Sequence, residues 1–319
     1  MKRLNDILTE YPFIVLDGGL ATELEKKGFV LNDHLWSAAL LADNPEAIRN
    51  VHLSFLEAGA DCIITASYQS TVSGFMKRGY SEKKSKDLIK LSVKLARDAI
   101  DIFLEHNLCE GRPYPFIAGS AGCYGSFLAD GSEYRGDYHL EFNEYADFHR
   151  ERIELLAEAG ADLIAFETIP SAQEGAALVE LMKDYPELPY WLAFSVKDDV
   201  HISNGDIFAD FIKDTGSSDN LIGCGINCSS PGHVTGVLKG LHDYKIKNFV
   251  VYPNSGEVYN KSCNCWTQGG GSDILPDSVK QWYNLGAKII GGCCRTGPDD
   301  IKFISNFRKS LIEKFTGKG

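Results

Sequence analysis

Short apolar runs rich in β-branched residues recur along the chain, each followed by small or polar residues and then by a helical pattern of apolar positions. The runs do not alternate between apolar and polar residues, which is typical of strands buried on both faces. They predict eight strands, at 13–16, 62–65, 116–118, 163–166, 191–194, 221–226, 249–252 and 288–290. The helical patterns between them predict eight helices, at 45–59, 82–106, 140–159, 171–184, 206–213, 231–243, 275–285 and 298–314.

Prolines and glycines mark several of the predicted helix ends. Pro45, Pro231 and Pro298 lie near three helix starts. Proline is tolerated there because the backbone N–H that it lacks would have no partner within the helix. The phrase Glu-Ala-Gly-Ala-Asp occurs at 57–61 and again at 158–162, and a related phrase occupies 285–288. In each phrase the glycine is predicted to end a helix and lead into the next strand.

Eight strands alternating with eight helices predict an α/β fold, a single (β/α)8 TIM barrel. A doubly wound open sheet is the alternative, and it usually carries a glycine-rich phosphate turn after its first strand. The residues that follow strand 1 here, Asp17-Gly18-Gly19, do not form that motif. No Pro-, Ser- or charge-rich linker divides the chain, so residues 1–319 are predicted to form one domain. The long connections 119–139 and 253–274 are predicted to be loops on the face where barrel active sites lie.

Composition and charge exclude several classes of partner. The chain has 32 Lys and Arg against 44 Asp and Glu, a net charge of −12, and no dense basic run, so no nucleic-acid partner is expected. No stretch approaches about 18 uninterrupted apolar residues, and the amino terminus lacks a signal-peptide core, so no membrane association is expected. An odd count of nine cysteines indicates a reducing, cytoplasmic location. Cys62 and Cys224, inside predicted strands, are predicted core residues.

Three further cysteines come at predicted strand ends. Cys228 follows the sixth strand, and Cys293 and Cys294 follow the eighth, so we expect them to meet at the mouth of the barrel. Three thiolates with an open fourth position are typical of a catalytic zinc site. Adjacent cysteines reach one ion only if the backbone bends between them, which Gly291 and Gly292 would allow. An isolated Cys-Cys pair is more often a pair of small buried hydrophobes, but Cys228 on the same face favours a metal site.

A second arrangement of cysteines stays open. Cys263 and Cys265, after the seventh strand, could join Cys293 and Cys294 in a closed structural zinc site. The Cys-x-Cys spacing is tighter than the spacing usual in such sites, so the arrangement with Cys228 is favoured.

Two carboxylates also follow predicted strands. Asp17 follows the first strand, where a turn or helix-capping role is the alternative to function. Glu167 ends the fourth strand, and a partly buried glutamate needs a partner. Two carboxylates beside one metal, with no basic residue in either motif, indicate recognition of an ammonium group. An aldolase or decarboxylase using both carboxylates is a further alternative, but the chain lacks a strand-end Lys or His for it.

Taken together, these motifs resemble those of the homocysteine S-methyltransferase family. The resemblance runs from about residue 10 to about residue 310. It is carried by Asp17-Gly18-Gly19, Thr65-x-x-Tyr68, Glu167-Thr168, Gly225-Ile226-Asn227-Cys228 and Gly291-Gly292-Cys293-Cys294-Arg295. Within the family, the chain looks most like the short enzymes that use S-methylmethionine or S-adenosylmethionine, as in 64–69, 166–170 and 252–257. The betaine-using relatives carry a C-terminal extension that does not fit here, and a tyrosine where Thr168 stands.

This resemblance implies a zinc-dependent transfer of a methyl group from a sulfonium donor to homocysteine in methionine biosynthesis. It implies Zn²⁺ ligation by Cys228, Cys293 and Cys294, with the homocysteine sulfur as fourth ligand. Substrate binding by Asp17, Gly18, Thr65 and Glu167 is implied in the same way. Asn227 is predicted to have a structural role. For Arg295 two roles are equally supported, contact with a substrate carboxylate or a position on the protein surface. A selenocysteine- or betaine-type methyltransferase of the same family, or a non-catalytic barrel with structural zinc, stays open. The sequence does not predict the oligomeric state.

Overall fold

The computed structural model describes residues 2–31, 35–106, 109, 111–215, 218–244, 246–256, 258–260, 265–267 and 276–316. The strands in this part of the chain are β1 (Ile14–Val15), β2 (Cys62–Ile64), β3 (Phe116–Gly122), β4 (Leu163–Ile169), β5 (Tyr190–Phe194), β6 (Leu221–Asn227), β7 (Phe249–Tyr252), β8 (Val258–Asn260), β9 (Cys265–Thr267) and β10 (Ala287–Ile290). Strands β8 and β9 form a separate antiparallel hairpin.

The α-helices fall mainly between the strands, as a barrel requires. They are α1 (Lys2–Glu10), α2 (Leu20–Lys26), α3 (Leu40–Asp43), α4 (Pro45–Ala58), α5 (Val72–Lys77), α6 (Glu82–His106), α7 (Tyr124–Leu128), α8 (Phe142–Glu158), α9 (Ala172–Leu181), α10 (Phe208–Thr215), α11 (Pro231–Leu241), α12 (Pro276–Asn284) and α13 (Pro298–Thr316). Among the described residues, no helix is long and apolar enough to cross a bilayer.

Eight parallel strands form one sheet in the order β1-β10-β7-β6-β5-β4-β3-β2. A parallel bridge between Leu16 and Cys62 joins the two end strands and closes the sheet into a barrel. The predicted (β/α)8 TIM barrel is therefore confirmed. The carboxyl ends of all eight strands meet at one mouth, where such barrels build their sites.

The two faces of the strands pack into two separate apolar layers. Ile14 and Leu16 point into the barrel, with Trp191 and Tyr252, and Ile7 of α1 belongs to the same inner cluster. Alternate residues of the same strands pack outward against the helices. Since both faces are apolar, the strands show no polar alternation in the sequence.

All eight predicted strands and all eight predicted helices are present, most of them with shifted ends. Gly59, Gly160 and Gly286 adopt the left-handed conformation, with φ of 113°, 92° and 98°, as expected of glycines that end helices. The prediction of a loop over 119–139 is wrong at its start, because β3 continues to Gly122. The remainder carries α7 and a one-turn 3₁₀ helix, Ser132–Tyr134. Within the other predicted loop, 253–274, lies the hairpin β8–β9; residues 257, 261–264 and 268–274 of it lie outside the described residues.

A buried ion pair ties the first strand to the last helix. Asp61, just before β2, accepts hydrogen bonds from Val15 N at 2.9 Å and from Arg308 Nη2 at 3.1 Å. Both charged side chains are fully buried. Arg308→Met is expected to lower the free energy of unfolding by about 3 kcal/mol, because it leaves the buried carboxylate with the more distant Arg112, at 3.5 Å, as its counter-charge. Urea unfolding measures this effect.

Lys183→Met provides the matched control for that substitution. Lys183 pairs with Glu180, and both side chains are more than half exposed, at 60% and 59%. The same change there is expected to cost less than about 1 kcal/mol. Equal losses in the two variants would contradict the structural role given to the buried pair.

Candidate metal and substrate site

A cavity of about 580 Å³ opens at the mouth of the barrel, on the carboxyl ends of the strands. It is lined by the predicted site residues Asp17, Gly18, Thr65, Glu167, Cys228, Cys293 and Cys294. Five carboxylates lie in its wall, those of Asp17, Glu25, Asp130, Glu133 and Glu167. Among the described residues that line it there is no Lys, Arg or His. The cavity therefore favours positively charged ligands.

The three strand-end cysteines come together in this cavity. Their sulfur atoms all lie within 4.8 Å of one another, and the Cys228 and Cys294 sulfurs are 3.6 Å apart. The Cys228 and Cys293 sulfurs are also in direct contact, so this pair can close to a disulfide under oxidising conditions. Because a thiolate and not a disulfide is a metal ligand, the set holds a metal ion in its reduced state.

Residues near the ends of two strands adopt left-handed backbone conformations. Thr168 has φ of 57° and Cys228 has φ of 46°, a conformation that is uncommon for residues other than glycine. Asn227 joins the two positions, since its Oδ1 accepts from Thr168 N at 2.8 Å and its Nδ2 donates to Thr168 Oγ1 at 3.0 Å. Strained residues of this kind persist where surrounding contacts fix them, and they cluster at functional sites. The contacts agree with the structural role predicted for Asn227.

Close packing accounts for the two glycines before the cysteine pair. Neither Gly291 nor Gly292 has a positive φ, so the bend expected of them is not of the left-handed kind. A Cβ on Gly291 would lie 2.5 Å from Leu16 Cβ, and one on Gly292 would lie 2.2 Å from Thr296 Oγ1. A side chain at Gly291 would push the end of β10 away from the end of β1, and one at Gly292 would displace Thr296. The left-handed turn comes instead at Arg295, with φ of 68°.

Asp17 and Glu167 are buried at the same mouth. Asp17 Oδ2 accepts from Ile64 N at 2.9 Å, while Oδ1 is buried with no hydrogen-bond partner among the described residues. Burial, and then the nearby Glu167 carboxylate, raise the pKa of Asp17 well above its usual range. Burial also raises the pKa of Glu167 to about 7. Gly19, and not Asp17, is the N-cap of α2. Among the described residues that line the cavity, no cationic side chain pairs with either carboxylate.

Three hydroxyl-bearing residues fix the Glu167 carboxylate. Ser120 Oγ donates a short hydrogen bond to Glu167 Oε2, and Tyr252 hydrogen-bonds to the same carboxylate. Tyr252 is itself held by Trp191, whose Nε1 donates to its hydroxyl at 3.1 Å. Thr65 Oγ1 accepts a hydrogen bond from Ser120 N at 2.9 Å, so the Thr65 hydroxyl holds the backbone of Ser120 in place. The sequence predicted a substrate role for Thr65, but it did not predict that Ser120 and Tyr252 contact Glu167.

A buried charged network supports the loops around the cavity. Arg152 Nη1 donates to Tyr68 O at 3.2 Å, and Nη2 donates to Gly122 O at 2.6 Å. His149 bridges this guanidinium to Glu174, with 2.7 Å to Arg152 and 3.0 Å to the carboxylate. These charges lie on α8 and α9, outside the strand-end motifs, so sequence reasoning missed them. A charged residue on the buried face of a predicted helix is the signal that points to such a network.

The cluster of three cysteines fits a thiophilic metal ion. Burial, and then Glu25 and Glu133, raise the pKa of the Cys294 thiol to about 12. A thiol with such a pKa stays protonated at neutral pH unless a cation ionises it. The four-thiolate alternative cannot be placed, because Cys263 and the side chain of Cys265 lie outside the described residues. Cys62 and Cys224 are buried, as predicted for core residues.

Fold and site together define a barrel enzyme with a cluster of three thiols at its mouth. The chain matches the homocysteine S-methyltransferase family over residues 14–307. It is 47% identical to the homocysteine S-methyltransferase YbgG of Bacillus subtilis (strain 168), over 98% of this chain and 99% of that one. It is 46% identical to the homocysteine S-methyltransferase of Escherichia coli (strain K12), over 93% of this chain and 96% of that one.

Solved structures agree with these relatives. The metallated form of the homocysteine methyltransferase MmuM from Escherichia coli superimposes with a TM-score of 0.86 at 44% identity, covering 95% of this chain and 99% of that one. The oxidized form of MmuM matches equally well, with the same TM-score of 0.86. This chain belongs to the homocysteine S-methyltransferase family, and it is a methyltransferase.

Proposed function

We propose that this protein transfers a methyl group from a sulfonium donor, S-methylmethionine or S-adenosylmethionine, to the thiol of L-homocysteine and so forms methionine. One observation carries the proposal: three cysteine sulfurs and two buried carboxylates, one with a partnerless oxygen, line a single cavity. The names of the relatives support the acceptor. The chemistry points to a reducing compartment, and we propose a cytoplasmic location.

We propose Zn²⁺ as the metal, held by Cys228, Cys293 and Cys294. When bound, the ion supplies an ionised, oriented acceptor thiol at neutral pH. All-sulfur ligation suits zinc, and three ligands leave a fourth position open toward the cavity. The anionic cysteines offset the charge of the ion, which preserves the nucleophilicity of a neighbouring thiolate.

Asp17 and Glu167 are proposed to bind the ammonium group of the acceptor amino acid. An ammonium placed between them supplies the partner that Asp17 Oδ1 lacks and compensates the burial of both carboxylates. Gly18 allows the turn after β1 to pack against Thr296, since a Cβ there would lie 2.8 Å from Thr296 O. Thr65 is proposed to contribute through Ser120, because its hydroxyl is already engaged.

The reaction needs orientation rather than acid catalysis. The acceptor thiolate forms a bond to the methyl carbon as the bond from that carbon to the donor sulfur breaks. The bonding pair goes to the donor sulfur, which leaves as a neutral thioether, so no proton has to be supplied. The acidic cavity wall, which also carries Glu25, Asp130 and Glu133, favours a cationic donor. Tyr68, also in the wall, offers an aromatic face to a sulfonium.

The proposal is tested by methionine formation from homocysteine with S-methylmethionine, S-adenosylmethionine and betaine in parallel, on reduced protein with measured zinc. We expect turnover with a sulfonium donor, a loss of more than about 100-fold after chelation, and recovery with Zn²⁺. Turnover with betaine alone would assign the chain to the betaine branch. No turnover with any donor on zinc-replete protein would favour a non-catalytic binding barrel with structural zinc.

A further inference from the structure

The proposed site holds more than one sulfur nucleophile. When the acceptor is bound, its thiolate lies among three cysteine thiolates, all facing a donor that methylates sulfur. Transfer to a cysteine would break the same donor bond, release the same neutral thioether and leave an S-methylcysteine, which is a poor metal ligand. Each such event would inactivate one enzyme molecule. A device that lowers the reactivity of the cysteine sulfurs would therefore protect the site.

The Tyr134 hydroxyl lies directly against one of these sulfurs. Tyr134 Oη is 3.9 Å from Cys228 Sγ, within reach of a hydrogen bond to the large sulfur atom, and it points to that sulfur from the cavity wall. The side chain is 38% exposed, so it stands between the thiol cluster and the open side of the cavity. Apart from the 3.6 Å contact between the Cys294 and Cys228 sulfurs, the hydrogen bonds found among the described residues for Cys293 and Cys294 run through their backbone groups, to Pro253, Thr296 and Ser255.

The turn that carries Tyr134 is held by a side chain from the end of β5 and by its own backbone hydrogen bonds. Ser195 Oγ, just after β5, donates to Glu133 O at 2.8 Å. Gly136 N donates to Ser132 O at 2.7 Å, and Tyr134 N donates to Gly131 O at 3.2 Å. These contacts tie the 3₁₀ turn to the barrel mouth. The hydroxyl is thus fixed by the scaffold and does not depend on a substrate for its position.

We propose that the Tyr134 hydroxyl donates a hydrogen bond to the Cys228 thiolate and so directs methyl transfer to the substrate sulfur. A hydrogen bond to a thiolate is strongest while the sulfur carries full negative charge. It weakens as that charge is consumed in bond formation, so it raises the barrier for alkylation of Cys228. On this proposal the acceptor sulfur receives no such hydrogen bond and keeps its reactivity. Tyr134 acts through Cys228 and is a selectivity residue rather than a catalytic one. The inference rests on the proposed function.

The test compares alkylation of the three cysteines within one molecule. Reduced, zinc-loaded wild type and Tyr134→Phe are treated with limiting trideuterated iodomethane without acceptor, and peptide mass spectrometry gives the label on Cys228 relative to Cys293 plus Cys294. We expect this ratio to rise about tenfold in Tyr134→Phe, the effect of losing one hydrogen bond to a charged group. A zinc-sensitive dye should report correspondingly faster metal release from the variant.

Tyr138→Phe is the matched control. Tyr138 lies in the same connection, but its hydroxyl donates to Glu174 Oε2 at 2.6 Å, so its removal should leave the labelling ratio unchanged. A ratio in Tyr134→Phe that equals wild type, or a rise of equal size in Tyr138→Phe, would overturn the proposal. Iodomethane keeps this test independent of the natural donor. Absence of methionine formation by wild type would count against the proposed function alone, while an unchanged ratio would count against Tyr134 alone.

Discussion

Cys228→Ala is expected to abolish both metal binding and methyl transfer. Substitution of a residue that merely orients a metal ligand commonly costs 10- to 100-fold, so loss of one of three ligands should exceed about 100-fold in zinc affinity and in kcat/KM. The cysteine side chains converge from β6 and from the segment after β10, so two of them cannot recreate the site. Metal analysis after dialysis, and methionine formation at saturating donor, measure the two effects.

Two cysteine variants serve as controls for this prediction. Cys224→Ala changes the same strand four residues earlier, at a buried thiol outside the cluster, and should retain zinc and most activity. Cys263→Ala should also retain both. If Cys263→Ala lost the metal while Cys228→Ala kept it, zinc would belong to the closed four-thiolate alternative and the catalytic assignment would be wrong.

Glu167→Gln is expected to weaken binding of the acceptor in a pH-dependent way. At pH 8 the acceptor KM should rise by about 100-fold, because a buried charge-assisted contact to the ammonium is lost. Burial raises the pKa of Glu167 to about 7, so at pH 6 the wild-type side chain is mostly protonated and has already lost that contact. The ratio of variant to wild-type KM should therefore fall about tenfold from pH 8 to pH 6.

Ionisation of the acceptor thiol changes the KM of the variant and of the wild type by the same factor, so it does not affect the ratio of the two KM values. Glu46→Gln, the same change at an exposed position on α4, should give a ratio near one at every pH. A ratio for Glu167→Gln that is constant between pH 6 and pH 8 would contradict the role given to its ionisation.

The same substitution should act on stability in the opposite direction. The folded-state pKa of Glu167, about 7, exceeds the unfolded value of 4.5, so the folded protein binds this proton more tightly. The charged side chain therefore destabilises the fold increasingly as pH rises from 4.5 through 7. Above that range Glu167→Gln should unfold with a free energy up to about 3 kcal/mol higher than wild type. Equal stability at pH 8 would show that hydrogen bonds from Ser120 and Tyr252 fully compensate the burial.

The barrel and the positions of its chemical groups were determined by the sequence. Strands buried on both faces give uninterrupted apolar runs, which are local and therefore readable without any partner. The fold also brings strand ends to one mouth, so Asp17, Glu167, Cys228 and the Cys293–Cys294 pair could be assigned to one site before any distance was known. The limits of the domain and the cytoplasmic location stay predictions.

Only the tertiary structure decided which side chains support those groups. Arg152 reaches the carbonyl of Tyr68 across 84 residues of chain, and Tyr134 reaches Cys228 across 94. The partnerless oxygen of Asp17 is likewise invisible in sequence, because its environment is made by several strands at once. Such contacts depend on side-chain direction and on the packing of distant elements, neither of which leaves a periodic signal. The sequence determines which groups meet at the mouth, and packing determines how each is held there.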